Sequence, residues 1–121
     1  MIDLGRLSAG LAGAGGVSLA VLGLAFLRNP AAAFRLSGHR AGSLPQVMAN
    51  RYLAFAVLAL LAILQGDAGV IAALFGVLGL MGLHDAVIYA RDGHGWGRHA
   101  AAGCAALGVA GVAWLARAGG A

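Results

Sequence analysis

Residues 45–64 read PQVMANRYLAFAVLALLAIL. But for two positions this is an apolar run of about 20 residues, the length an α-helix needs to cross a ~30 Å hydrocarbon core. The exceptions, Asn50 and Arg51, stand side by side near its start. An arginine at mid-membrane costs about 2.5–3.5 kcal/mol on insertion scales. The fold reading turns on whether the rest of the chain gives that guanidinium a reason to be there.

Composition makes lipid the solvent. Of 121 residues, 61% are hydrophobic and 10% charged, against about 25% charged in a soluble domain. There is no Lys and no Glu, so every cation is Arg and every anion Asp. The net charge of +4 comes from arginines scattered singly between apolar blocks. They form no basic stripe and meet no aromatic platform, which argues against a nucleic-acid partner. They suit cytosolic flanks against anionic lipid better. A single cysteine, Cys104, excludes a dithiol pair, a disulfide framework and a cysteine metal cage. It lies in the small-residue run AAAGCAALG, where packing is its expected role.

Four apolar blocks follow one another, at 7–27, 46–64, 68–90 and 99–115, and the length supports one domain spanning 1–121. The first block is longer than a ~7–15-residue signal core, and Arg28 separates it from the small residues of NPAAAF. It is expected to be a retained helix. The fourth is short and rich in Ala and Gly, but Trp96 and Trp114 bracket it as interfacial residues would.

The connectors set the topology. In RNPAAAFRLSGHRAGSLP, residues 28–45, Asn29 is a good N-cap, Pro30 suits a first helical position and Gly38 a stop. A short interfacial helix with Arg35 outward is expected there. QGD at 65–67 reads as a tight turn, and ARDGHGWGRH at 90–99 as a glycine-rich loop. Short links between successive crossings imply an all-α membrane protein, an antiparallel four-transmembrane-helix bundle. Arg28, Arg35, Arg40, Arg91 and Arg98 fall in the first and third connectors, and Arg6 and Arg117 on the other side. The positive-inside rule then puts both termini outside. Ser8, Ala12, Gly16 and Ala20 recur every fourth position, as do Gly103, Leu107 and Gly111. Such rows let helix backbones approach within a bundle, or at a homodimer seam.

Asp85 lies about 9 Å before Arg91, and Arg51 about 9 Å past Pro45, at 1.5 Å per residue. On antiparallel neighbours both distances start from the cytosolic face, so the arginine and the aspartate are expected at equal depth. His84 adjoins Asp85, Tyr89 follows it on the same helix side, and His99 opens the fourth block at the same face. Three readings of the pair stay open: a structural ion pair, an arginine snorkelling to the headgroups, and a polar pocket toward the cytosolic leaflet. In the pocket, Asp85, His99 and His84 are the candidate catalytic groups, and Arg51, Asn50 and Tyr89 the candidate ligand-binding groups. A metal or haem is not expected, because such a site needs three or four supported ligands and no HxxxH or HExxH occurs. His94, in the glycine loop, is expected to be solvated.

The run FLRNPAAAFRLSG, followed by NRYLAFAVLALLAILQGDAGVIAALFGVLGLMGLHDAVIYARDGHGWGRHAAAG, resembles small DoxX-like four-helix membrane proteins. The nearest branch is bacterial and fungal and of unknown function. The marks carried here are Asn29 and Pro30, Arg51, Asp85 and His99. The resemblance implies the four-helix fold and one constellation of Arg51, Asp85 and His99; the expected location is a bacterial inner membrane. Some DoxX-like relatives are subunits of quinone-linked oxidoreductases, which implies a quinone or another lipid-soluble ligand. Tyr52 stands where the branch often carries an acid, a departure that weakens a strict transfer of roles.

Two functions compete. One is a membrane-embedded site for a lipophilic small molecule, with acid–base chemistry open. The other is a non-catalytic structural or accessory subunit of a larger membrane complex. A small cation exporter, the third class of this size, is disfavoured because the first block contains no acid.

Overall fold

The computed structural model describes residues 17, 20, 21, 23–38 and 40–119. Most of the first apolar block, with Arg6, Ser8, Ala12 and Gly16 of the small-residue row, lies outside them. Within the block, Val17, Ala20, Val21 and residues 23–28 are helical, and Ala20 is exposed. The chain then forms α1 (Pro30–Ser37), a 3₁₀ turn (Ala41–Ser43), α2 (Leu44–Gln65), α3 (Ala68–Arg91) and α4 (Gly97–Gly119). It divides into two compact units, 1–50 and 51–121, with the boundary inside α2 between Asn50 and Arg51.

In the first unit the predicted caps are in place. Asn29 leaves helical geometry at φ −147° and ψ 82°, and its side chain accepts from the Ala32 N–H. The Asn29 N–H donates to the Ala25 carbonyl at 2.8 Å, so one residue closes the preceding helical segment and opens α1. Pro30 takes the position where a missing N–H costs nothing. Gly38 ends α1 in the left-handed region at φ 70°, as a C′ glycine does. Phe26 and Phe34 pack edge to face, with centroids 5.2 Å apart.

In the second unit, Gly66 at φ 71° ends α2. Asp67 then caps α3, its side chain accepting from the N–H groups of Gly69 and Val70 at 2.7 and 3.3 Å. The QGD turn works because adjacent residues take the opposite tasks of stopping and starting a helix. The helices run slightly beyond the apolar blocks, most of all α4, which covers 97–119 where 99–115 was expected. Apolarity thins after Leu115, but Ala116, Arg117 and Ala118 are strong helix formers. At 22, 24 and 23 residues, α2, α3 and α4 extend about 33–36 Å each, enough to cross a ~30 Å core.

Among the described residues, helix-on-helix packing joins α3 to α4. The two run antiparallel: Gly79 faces Leu107 and Gly103, Gly82 faces Gly103, and Tyr89 faces His99. The seam is made of the smallest residues. A Cβ built on Gly103 would stand 2.8 Å from the Leu83 nitrogen and 2.9 Å from the Gly79 oxygen. One built on Gly82 would stand 2.9 Å from the Gly103 Cα. These are backbone contacts, so the helices approach as closely as glycine permits. Of the row Gly103, Leu107 and Gly111, the first two meet α3, while Gly111 is exposed. The matching glycines on α3, Gly79 and Gly82, did not stand out by spacing alone.

The described interior is alanine and glycine: Ala72, Gly79 and Ala86 of α3, and Gly103 and Ala113 of α4. No large side chain is fully buried among the described residues. Leu53 and Leu64 on α2, Val77 and Leu80 on α3, and Val112 and Leu115 on α4 are each more than 60% exposed. Water does not tolerate contiguous apolar surface of that kind, but hydrocarbon does. Cys104, expected to pack, is exposed. It follows Gly103 by one position, about 100° around the helix, which turns it off the seam.

Candidate functional site

The Gly93 end of α3 builds the one cluster of ring side chains in the second unit's described residues. Asp92 caps the helix and Gly93 takes φ 74°. The Gly93 N–H then donates to the Ala90 carbonyl at 3.2 Å, and the His94 N–H to the Tyr89 carbonyl at 2.9 Å. This pair of bonds is the Schellman motif, which brings the second residue past the cap over the third residue from the helix end. It therefore seats His94 beside Tyr89, with ring centroids 6.3 Å apart and planes at 61°. From the other side, the first turn of α4 presents His99, whose ring stacks on Tyr89 at 4.5 Å and 18°. Tyr89 is the middle ring of three.

Asp85 lies one helical turn below Tyr89, about 6 Å deeper at 1.5 Å per residue, and is half-buried. Its neighbour His84 is exposed. Asn50 and Arg51 are exposed on α2. Among the described residues, neither Arg51 nor Asp85 makes a hydrogen bond or ion pair, and α2 does not pack on α3. Of the six candidates, then, the structure joins Tyr89 to His99, holds Asp85 and His84 on the same stretch of α3, and does not bring Arg51 to Asp85. His39 lies outside the described residues.

His94, expected to be solvated, is exposed yet held against Tyr89. A signal for this was present in YARDGH: a glycine two residues past a helix end predicts a Schellman turn, and the turn fixes which side chains meet. Gly93→Ala is expected to cost about 1–2 kcal/mol, the penalty of a Cβ in the left-handed region. In NMR spectra the ring-current shift of the His94 imidazole should vanish while that of His99 persists. Equal loss at both rings would mean that the loop does not position His94 independently.

Chemically, the cluster offers a phenolic O–H that donates or accepts, two imidazoles whose ring nitrogens donate or accept hydrogen bonds, and a carboxyl group one turn away. Trp96 precedes α4 and Trp114 lies in its last turns, and they are 53% and 61% exposed. They are eighteen positions apart, about 27 Å along a helix, which matches the two faces of a hydrocarbon core. The cluster sits at the Trp96 end. Three helices of this length and apolarity place the chain in the class of multi-pass membrane proteins. No family model, curated protein or solved structure matches the chain.

Proposed function

We propose that the protein is a bacterial inner-membrane protein, a DoxX-like antiparallel four-helix bundle with both termini outside. Its polar site near the cytosolic face binds a lipophilic small molecule with a polar head, such as a quinone, and performs acid–base chemistry on it. The observation that carries this reading is the Tyr89–His99 stack, one turn from Asp85 in a hairpin whose remaining seam is alanine, glycine and leucine. Ionisable groups within or beside a span are costly and mark sites more often than they serve packing. In the proposed site the Tyr89 hydroxyl hydrogen-bonds the head-group oxygen, His99 exchanges a proton with it, and Asp85 and His84 set the charge around the imidazole.

The test is mass spectrometry of small molecules carried through a mild-detergent purification. Wild type should retain one lipophilic species, and Asp85→Asn and His99→Ala should each lower its occupancy about tenfold, with the helical circular dichroism unchanged. Equal retention in wild type and both variants, or none in any, sinks this reading.

A second reading, a non-catalytic accessory subunit, is favoured by the outer face of α4. Ala101, Cys104, Ala105 and Gly108 are exposed, and a Cβ on Gly108 would meet nothing within 4 Å among the described residues. Such a face accepts another helix, from a second copy or a larger complex. A stoichiometric partner recovered in mild detergent, together with ligand-free protein, would select it.

A further inference from the structure

At the end of the hairpin away from the ring cluster, α3 and α4 line an open groove of about 430 Å³, within the ~300–1,000 Å³ range of small-molecule clefts. Its floor is Ala72 and Ala73 of α3 with Ala110 and Gly111 of α4. Trp114 forms one wall, and Arg117 closes the end over Gly69. The absence of a side chain at Gly69 admits the arginine: a Cβ there would stand 2.7 Å from an Arg117 guanidinium nitrogen. Arg117 makes no hydrogen bond or ion pair among the described residues. The nearby Asp67 carboxylate accepts from the first-turn N–H groups of α3 through Oδ1 alone and does not pair with Arg117 among the described residues.

We propose that this groove is a site for a phospholipid with an anionic headgroup, one acyl chain lying on the alanine–glycine floor and the phosphate paired with Arg117. Charge complementarity and polarity order argue for that occupant. The floor is apolar and lies within the span, Trp114 stands at the level where indole rings meet the headgroups, and the guanidinium is one helical turn beyond it. That sequence of chain, interface and charge is the sequence of a phospholipid. A second helix would match the floor but would bring no phosphate to the guanidinium, which pairs with no described residue. The inference requires the membrane setting, but not the ring cluster at the other end.

The experiment is native mass spectrometry of the full chain in mild detergent, titrated with dioleoylphosphatidylglycerol or dioleoylphosphatidylcholine. Wild type should bind one phosphatidylglycerol more tightly than phosphatidylcholine. Arg117→Gln should weaken phosphatidylglycerol about five- to tenfold and remove the preference. Gly111→Leu, which fills the groove from a position where a Cβ meets nothing within 4 Å among the described residues, should abolish the bound lipid. Gly108→Leu, equally open but outside the groove, should bind as wild type and so controls for folding. Binding unchanged in both Arg117→Gln and Gly111→Leu overturns the proposal. So does a dimer that Gly111→Leu dissociates with no lipid bound, because the groove's occupant is then a second copy. Loss in Gly108→Leu to the same extent as in Gly111→Leu also overturns it.

Discussion

Gly103→Ala is expected to destabilise the α3–α4 hairpin by about 1–3 kcal/mol, the usual cost of forcing one extra carbon into a packed seam. The added methyl has nowhere to go: within 3.0 Å it meets the Leu83 nitrogen and the Gly79 oxygen, both backbone. Side chains swing aside, but backbone does not, so α3 and α4 must separate along the seam. Gly103→Leu should prevent the hairpin from closing. Gly108→Ala is the internal control. It lies on the same helix with open space around it, and replacing glycine there should be neutral or stabilising by a few tenths of a kcal/mol. Reversible unfolding in mixed micelles, followed by circular dichroism, measures the contrast. Equal stabilities for the two alanine variants would mean that the glycines do not set the approach of the helices.

Leu80→Arg is expected to lower membrane insertion of α3 by about 3 kcal/mol, the difference between leucine and arginine at the centre of a span. Leu80 is 64% exposed and lies midway along Ala68–Arg91. On a water-facing surface an arginine in its place would be harmless and would improve solubility. In hydrocarbon, about 17 Å from either helix end, its side chain cannot reach a headgroup without local distortion of the bilayer. An in vitro translation assay with glycosylation sites on both flanks of α3 reads the inserted fraction directly. Unchanged insertion would remove the membrane assignment, and with it both the lipophilic-ligand proposal and the phospholipid groove. Arg117→Gln and Asp85→Asn should leave insertion intact, which separates their effects on ligands from effects on topology.

Local chemistry was legible because it is written in adjacent residues. The Asn29–Pro30 start and Gly38 stop of α1, and the Gly66–Asp67 turn, follow from backbone hydrogen bonds that must close within four residues. The Tyr89–His94 contact was equally local but needed a rule about the turn at Gly93 rather than a pattern of side chains. Depth was a coarser inference. Counting residues from the arginine-rich loops puts Arg51 and Asp85 at one level, but a level is a plane, and equal depth does not make two side chains neighbours. The structure stacks Tyr89 on His99, a pairing that depends on how α4 is rotated about its axis.

By itself the sequence determined that the chain is helical, that its spans are long enough for lipid, and where α1 starts and stops and α2 gives way to α3. Capping and apolar length are decided one segment at a time. Which faces meet was decided only in three dimensions, because a span with apolar residues all round carries no amphipathic stripe to mark its inner side. In lipid no hydrophobic drive selects that side, so the choice falls to close backbone approach, and glycine reveals its seam only when the opposite backbone is in place. Gly79, Gly82 and Gly103 on α3 and α4 are therefore ordinary letters in the sequence and the axis of the hairpin in the fold.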